Sequence, residues 1–168
     1  CIRFFNTRPA ELPLRPKNIG TIQNENNKTT ILLAPACRAG LKGLSGYSHV
    51  QVIRWMDCCD NRADRKNLVE KKPYVKGPEE LGVFATRSPA RPNPIAVSTA
   101  DIAYVDEAPG RIGLYYIDAF PGSPVLDLKP YIPSIDRVER ATTPEWCRHW
   151  PESYEQSGDF DWAAEFNF

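Results

Sequence analysis

Residues 82–98 read GVFATRSPARPNPIAVS, and the rest of the chain is arranged around them. Proline lacks a backbone N–H and pushes the residue before it out of the α region, so Pro89, Pro92 and Pro94 hold Ser88, Arg91 and Asn93 extended. Neither a helix nor a central strand runs through such a segment. Val83, Phe84, Ala85 and Thr86 on one side, and Ile95, Ala96, Val97 and Ser98 on the other, read as two short strands. The expectation is strand, stiffened loop, strand. The loop carries two guanidinium groups, Arg87 and Arg91, and two hydrogen-bonding side chains, Ser88 and Asn93. A preorganised pair of cations suits an anionic or carboxylate-bearing ligand. The plainer alternative is a proline-rich turn whose arginines pair with nearby acids.

Working outward, residues 1–17 mix aromatics with Pro9, Pro13 and Pro16 and suit an irregular arm, with residues 2–5 as a candidate edge strand. Residues 19–23 and 29–33 flank the turn NENNK at 24–28, which makes a hairpin. Leu41, Leu44 and Tyr47 sit among Gly40, Gly43 and Gly46, a pattern for a tight turn. Residues 48–55 then form a strand in which His49 is read as a bonded histidine within the structure before it is read as a ligand or base. Residues 57–76, DCCDNRADRKNLVEKKPYVK, carry more cations than acids and are either a solvated loop or a phosphate contact. Past the central loop, residues 99–105 extend a strand, 108–110 turn it, and 111–117 return. Six or more short strands between glycine and proline turns define a mainly all-β protein, a single β-barrel. The divisions are an arm at 1–17, a barrel at 18–140 and a tail at 141–168.

The tail changes character. Thr143 can cap a helix with Pro144 at its first position, which sets Trp146 and Trp150 four apart on one face. After Arg148 there is no further lysine or arginine, while acids and aromatics accumulate to Phe168. Such a tail suits packing on the barrel or on a partner subunit, and its charge would repel a phosphate backbone.

A chain of 168 residues is long enough to bury one genuine core. Lysine plus arginine equals aspartate plus glutamate at 21 each, so no bulk positive field draws it to nucleic acid or to an anionic membrane. Any RNA contact must come from a local patch. No apolar run reaches the length of a membrane span. Five irregularly spaced cysteines point to a reducing, cytoplasmic setting rather than a secreted disulfide framework. Adjacent Cys58 and Cys59 do not reproduce the C-x-x-C chelate, and no metal site is expected.

The segment TRSPxRPNPIxxS at 86–98, with PGSPVLDLKPYIPSID at 121–136 and GLKGLSGYSHV at 40–50, closely resembles the signature blocks of the TsaA-like (TrmO) family. The resemblance implies a β-barrel that uses S-adenosylmethionine to methylate threonylcarbamoyl-modified adenosine beside the tRNA anticodon, assembled as a homodimer that completes the donor site across its interface. Carried onto this chain, it implies cofactor contacts from Arg87, Val97, Gly122, Ser123 and Pro124. Asp127 and Tyr131 are the implied catalytic pair, Asp127 toward the accepting amine and Tyr131 toward the sulfonium. Alternation along the strand agrees with this, because it puts Asp127, Lys129 and Tyr131 on one face and Leu126 and Leu128 on the other; the plainer alternative is a surface pair of Asp127 with Lys129. Three departures stand out: Pro121 replaces a usual aspartate, a PRQ segment near the amino end is missing, and Asp57 and Cys58 stand where a histidine-containing pair is usual. They support the alternative of a binding module that keeps the barrel and has lost methyl transfer.

Overall fold

Strand β3, His49–Trp55, shows how the barrel is built: Val50, Val52 and Arg54 are buried while His49, Gln51, Ile53 and Trp55 are only half-buried. Period-2 alternation of this kind belongs to a strand with one face on a core. The computed structural model describes residues 15–25 and 28–167. Besides β3 it contains β1 (Gly20–Glu25), β2 (Lys28–Leu33), β6 (Ile95–Asp106), β7 (Arg111–Leu114) and β8 (Pro124–Pro130). These six close into an antiparallel barrel in the order β1-β2-β7-β6-β3-β8. A separate ribbon pairs β4 (Val69–Lys71) with β5 (Glu80–Gly82). The α-helices, α1 (Pro133–Asp136) and α2 (Tyr154–Ser157), are single turns.

The core is the barrel interior. Ile22, Ile31, Val50, Val52, Ala100, Ile112 and Val125 are each 0% exposed, and each large aliphatic among them contributes about 1.5–3 kcal/mol by leaving water. Arg54 also points inward and donates to the Asp118 carbonyl. Burial lowers its pKa, with Asp118 and Asp57 opposing the fall. Where β6 meets β7, the Tyr104 ring lies over Gly113, whose hypothetical Cβ would come 2.1 Å from that ring.

The hairpin β1–β2 pairs Ile22 with Ile31 as expected, whereas the candidate edge strand at 2–5 lies outside the described residues. Three expectations fail. Residues 83–86 are not a strand: β5 ends at Gly82, and Val83–Ala85 is one 3-10 turn. The Val83 carbonyl accepts from the Thr86 N–H and hydroxyl and from Arg91, so it has no place in a ladder. Nor does Thr143 cap a helix. Pro144 is the cap residue of a 3-10 turn, Glu145–Cys147, because Pro144 and Pro151 leave six residues between them and Trp150, preceding proline, is driven from the α region. Trp146 and Trp150 still meet edge to face at 5.3 Å. The return strand β7 is also shorter than expected, ending at Leu114.

The tail packs within the chain. Tyr74 stacks on Trp146 at 5.0 Å and meets Trp150 at 5.2 Å and Phe166 at 5.8 Å. Val75 N–H donates to the Glu165 carbonyl, and Glu165 accepts from the Trp150 indole at 3.0 Å. Much of the tail's aromatic surface is therefore spent on Tyr74 and on itself.

Ile112→Ala should lower stability by about 2–5 kcal/mol, the cost of a cavity in a closed core, whereas Tyr115→Ala, at a residue 76% exposed, should stay within about 0.5 kcal/mol. Urea denaturation of both variants checks the pair.

Candidate functional site

The proline-stiffened loop sorts its two arginines. Arg91 is a brace: its Nε donates to the Ser88 carbonyl at 2.6 Å, and Nη2 to those of Val83 at 2.7 Å and Thr86 at 2.6 Å. Three carbonyls around one planar fork fix the loop's path. Ser88 is committed too, since its hydroxyl donates to Glu70 at 2.8 Å. Glu70 also accepts from Asn67, whose amide reaches the Ala90 carbonyl. Arg87 is left exposed, with one long bond from Nη2 to the Val97 carbonyl at 3.4 Å. Acids pair with neither arginine among the described residues.

Register then places Val97 and Asp127 in one row. Ile53 of β3 faces Val97 on β6 and Asp127 on β8. Directly opposed residues project from the same face, so Val97, Ile53 and Asp127 line the outer wall of the barrel, the two ends roughly 10 Å apart at two strand spacings. A bulge makes this possible. The pairing jumps from Ile53–Asp127 to Arg54–Val125, so Leu126 is the extra residue, and Val125 can face the core while Asp127 faces out. Asp127 and Lys129 are exposed on that wall, 2.9 Å apart as an ion pair. Asp127 Oδ1 accepts the Leu128 N–H, and Oδ2 meets the ammonium. With about four lone-pair sites on a carboxylate, each oxygen keeps one for a ligand.

The turn before β8 lies at the end of the barrel where the arginine loop enters β6. Gly122 has φ +89°, a conformation that favours glycine, and its N–H donates to the Ile22 carbonyl at 2.8 Å. Gly122 is exposed, Pro124 half-buried and paired with Thr21, and Ser123 only 3% exposed, its carbonyl accepting from Ile22 N–H. Tyr131 is not with them. Four residues past Asp127, it sits about 13 Å along the strand direction, beside His49 at 6.0 Å between ring centres. His49 is bonded as expected, but on the outer wall: Nδ1 meets the Ser48 hydroxyl at 2.7 Å and Nε2 the Asp101 carboxylate at 2.6 Å.

Two residues that support the site hide in the polar interval at 57–76. Glu70 anchors Ser88, and no pattern in its surroundings marks it. Tyr74 is buried beneath the tail, where desolvation raises its pKa and the backbone of Arg87, bonding to it, acts the other way. A polar segment holding one aromatic against the loop is a signal that spacing could have offered. In the same interval Asp60 accepts from Arg65 and from the Trp55 indole. Those bonds, Arg65 first, hold its carboxyl down to about 2.

A closed antiparallel barrel with its polar groups on the outer wall, beside a braced arginine loop, is the class of protein that this geometry defines. The chain belongs to the family of the tRNA-methyltransferase O N-terminal domain, whose model matches residues 5–137. It is 41% identical over 101 residues to a protein of Archaeoglobus fulgidus named S-adenosyl-L-methionine-binding protein, covering 60% of this chain and 67% of that one. Crystal structures of TrmO from Pseudomonas aeruginosa superpose with TM-scores of 0.61 at 27% identity and 0.59 at 29% identity. They cover 81% and 78% of this chain, which spans 62% of the length of each.

Arg91→Ala should cost at least about 1.5–3 kcal/mol, the scale of one charged hydrogen bond, and Arg91→Lys should fail to restore it, because a single ammonium cannot fork across three carbonyls. Arg87→Ala should melt like the parent. Thermal unfolding of the three variants side by side makes the comparison.

Proposed function

We propose that this chain binds S-adenosylmethionine on the outer wall of β6, β3 and β8 and transfers its methyl group to the exocyclic nitrogen of threonylcarbamoyladenosine in tRNA. One observation carries the reading. Arg87 is the cation left uncommitted by a loop whose neighbouring groups are bonded, and it stands at the head of the row that ends in Asp127. Membership of the TrmO family and the names of the relatives support the donor.

The sulfonium already carries an activated methyl, so the protein's task is to align donor and acceptor and to give a proton somewhere to go. Arg87 bonds the donor's carboxylate or nucleoside, Val97 supplies apolar contact, and the Gly122 turn, with Ser123 and Pro124 behind it, lets backbone approach closely. Asp127 orients the accepting nitrogen. As the C–N bond forms, the C–S pair stays on sulfur, the nitrogen's proton passes to the carboxylate, and the demethylated thioether departs. Tyr131, about 13 Å away along the strand, reaches the sulfonium through cation–π contact when a second copy brings it to the row. A homodimer is therefore part of the reading, as is a cytoplasmic setting where tRNA is met. No helix among the described residues is long and apolar enough to cross a membrane.

A second reading, a binding module without methyl transfer, is favoured by the Asp127–Lys129 ion pair, which engages the carboxylate.

Calorimetry should show S-adenosylmethionine or its demethylated product binding, and Arg87→Ala should weaken it by roughly 1.5–3 kcal/mol. No heat with either ligand at millimolar concentration would overturn the donor site. Asp127→Asn should leave donor affinity nearly unchanged and slow methyl transfer on the order of a hundredfold; a wild-type rate would make Asp127 structural. Mass spectrometry of tRNA from cells with and without the gene separates the enzyme from the module, since the enzyme alone predicts a lost methyl mark. Light scattering should find twice the 19.0 kDa chain mass.

A further inference from the structure

Phe84 is 83% exposed, the most exposed large hydrophobic residue among those described. It is not on a loose loop. Val83 before it is 0% exposed and Thr86 just beyond is 7% exposed. Val83 N–H donates to the Leu68 carbonyl at 3.0 Å, and the Val83 carbonyl accepts from Arg91. The 3-10 turn therefore stands as a rigid knuckle with a phenyl ring presented to water, and no ring or cation partner for Phe84 occurs among the described residues. Such a placement leaves apolar surface hydrated with no return inside the monomer.

The surroundings indicate what covers it. Leu68, 58% exposed, and Val69, 50% exposed, extend the apolar surface along the neighbouring ribbon. Lys66, on the segment leading into Leu68, and Arg87, three residues after Phe84, are exposed and form no ion pair among the described residues. An aromatic face with a free cation beside it, Lys66, while Arg87 is kept for the donor, is the chemistry of single-stranded nucleic acid, where bases stack and phosphates pair. A second copy fits less well, because an isologous contact centred on this turn would set Lys66 and Arg87 against their own counterparts. We propose that the Phe84 turn is a stacking platform for unpaired RNA, placing a base beside the arginine loop. The inference rests on the RNA-methyltransferase reading and names the surface that takes the RNA.

The probe is a fluorescein-labelled single-stranded RNA of about twelve adenosines, followed by anisotropy at low salt with the full chain. Phe84→Ala should weaken binding roughly tenfold, Phe84→Trp should retain it, and both should bind S-adenosylmethionine as the parent does. Lys66→Gln should reduce the salt dependence by about one phosphate contact. The platform is overturned if Phe84→Ala binds the RNA as tightly as the parent, if the parent does not bind it, or if Phe84→Ala turns a dimer into a monomer, which would make the turn a subunit contact. RNA binding that depends on Phe84 with no methyl transfer to tRNA would sink the enzyme reading alone. Methyl transfer with the same KM for tRNA in Phe84→Ala would sink the platform alone.

Discussion

The Arg91 guanidinium, closed on the carbonyls of Val83, Thr86 and Ser88, is the contact on which the candidate surface depends. Three prolines stiffen the loop but do not choose its path. Proline restricts φ and the residue before it, and several paths satisfy those limits. The fork selects one of them by giving each of three carbonyls, none of which has a ladder partner, a charged donor. With Arg91 occupied inside the loop, Arg87 is turned out to the Val97 carbonyl and the open wall. One cation fixes the loop, and the other is left exposed by it.

The barrel contributes the second constraint, which is shear along β8. Strict alternation from Val125 would carry Asp127 into the core with it. The extra residue at Leu126 reverses the phase, and the reversal falls where Ile53 gives way to Arg54 on the partner strand. A carboxylate beside Ile53, in one row with Val97, exists because of this one irregularity. Bulges are known to re-aim side chains in this way near functional groups.

Legibility follows from how local each determinant is. The β3 strand and the β1–β2 hairpin are read from local patterns, and they appear as expected. Strand alternation also put Asp127 and Lys129 on one face, which the structure shows to be exposed, though the bulge beneath them left no mark in the residues themselves. The two arginines could not be told apart, because the difference lies in carbonyls that a 3-10 turn delivers, and residues 83–86 look as apolar as any strand. The tail helix was misread because Pro144 reads as a start signal while Pro151, which ends the run after six residues, was passed over; Trp146 and Trp150 meet Tyr74 from the short turn that results. Tyr131, four residues from Asp127, is close in sequence and distant in space, since an extended strand separates what a helix would bring together.

A six-stranded barrel leaves no room for a ligand inside. Its interior is filled by Ile22, Ile31, Val50, Val52, Ile112 and Val125, consistent with even eight strands enclosing little more than side chains, while Arg54 is bonded to Asp118. Chemistry on this fold is thereby forced onto the outer wall, where water has free access and charge contacts are screened. The proposed proton and methyl transfers would both gain from water's exclusion. The tail meets part of that need: Tyr74 ties it to the backbone of the arginine loop, and Tyr154 reaches His49 farther along the same wall, at 6.0 Å between rings. It closes a flank and leaves the row from Arg87 to Asp127 open. An exterior site of this kind is finished by whatever lies over it, so on the proposed reading its dryness, and with it the strength of an Arg87 contact, would rise only with donor and acceptor both in place.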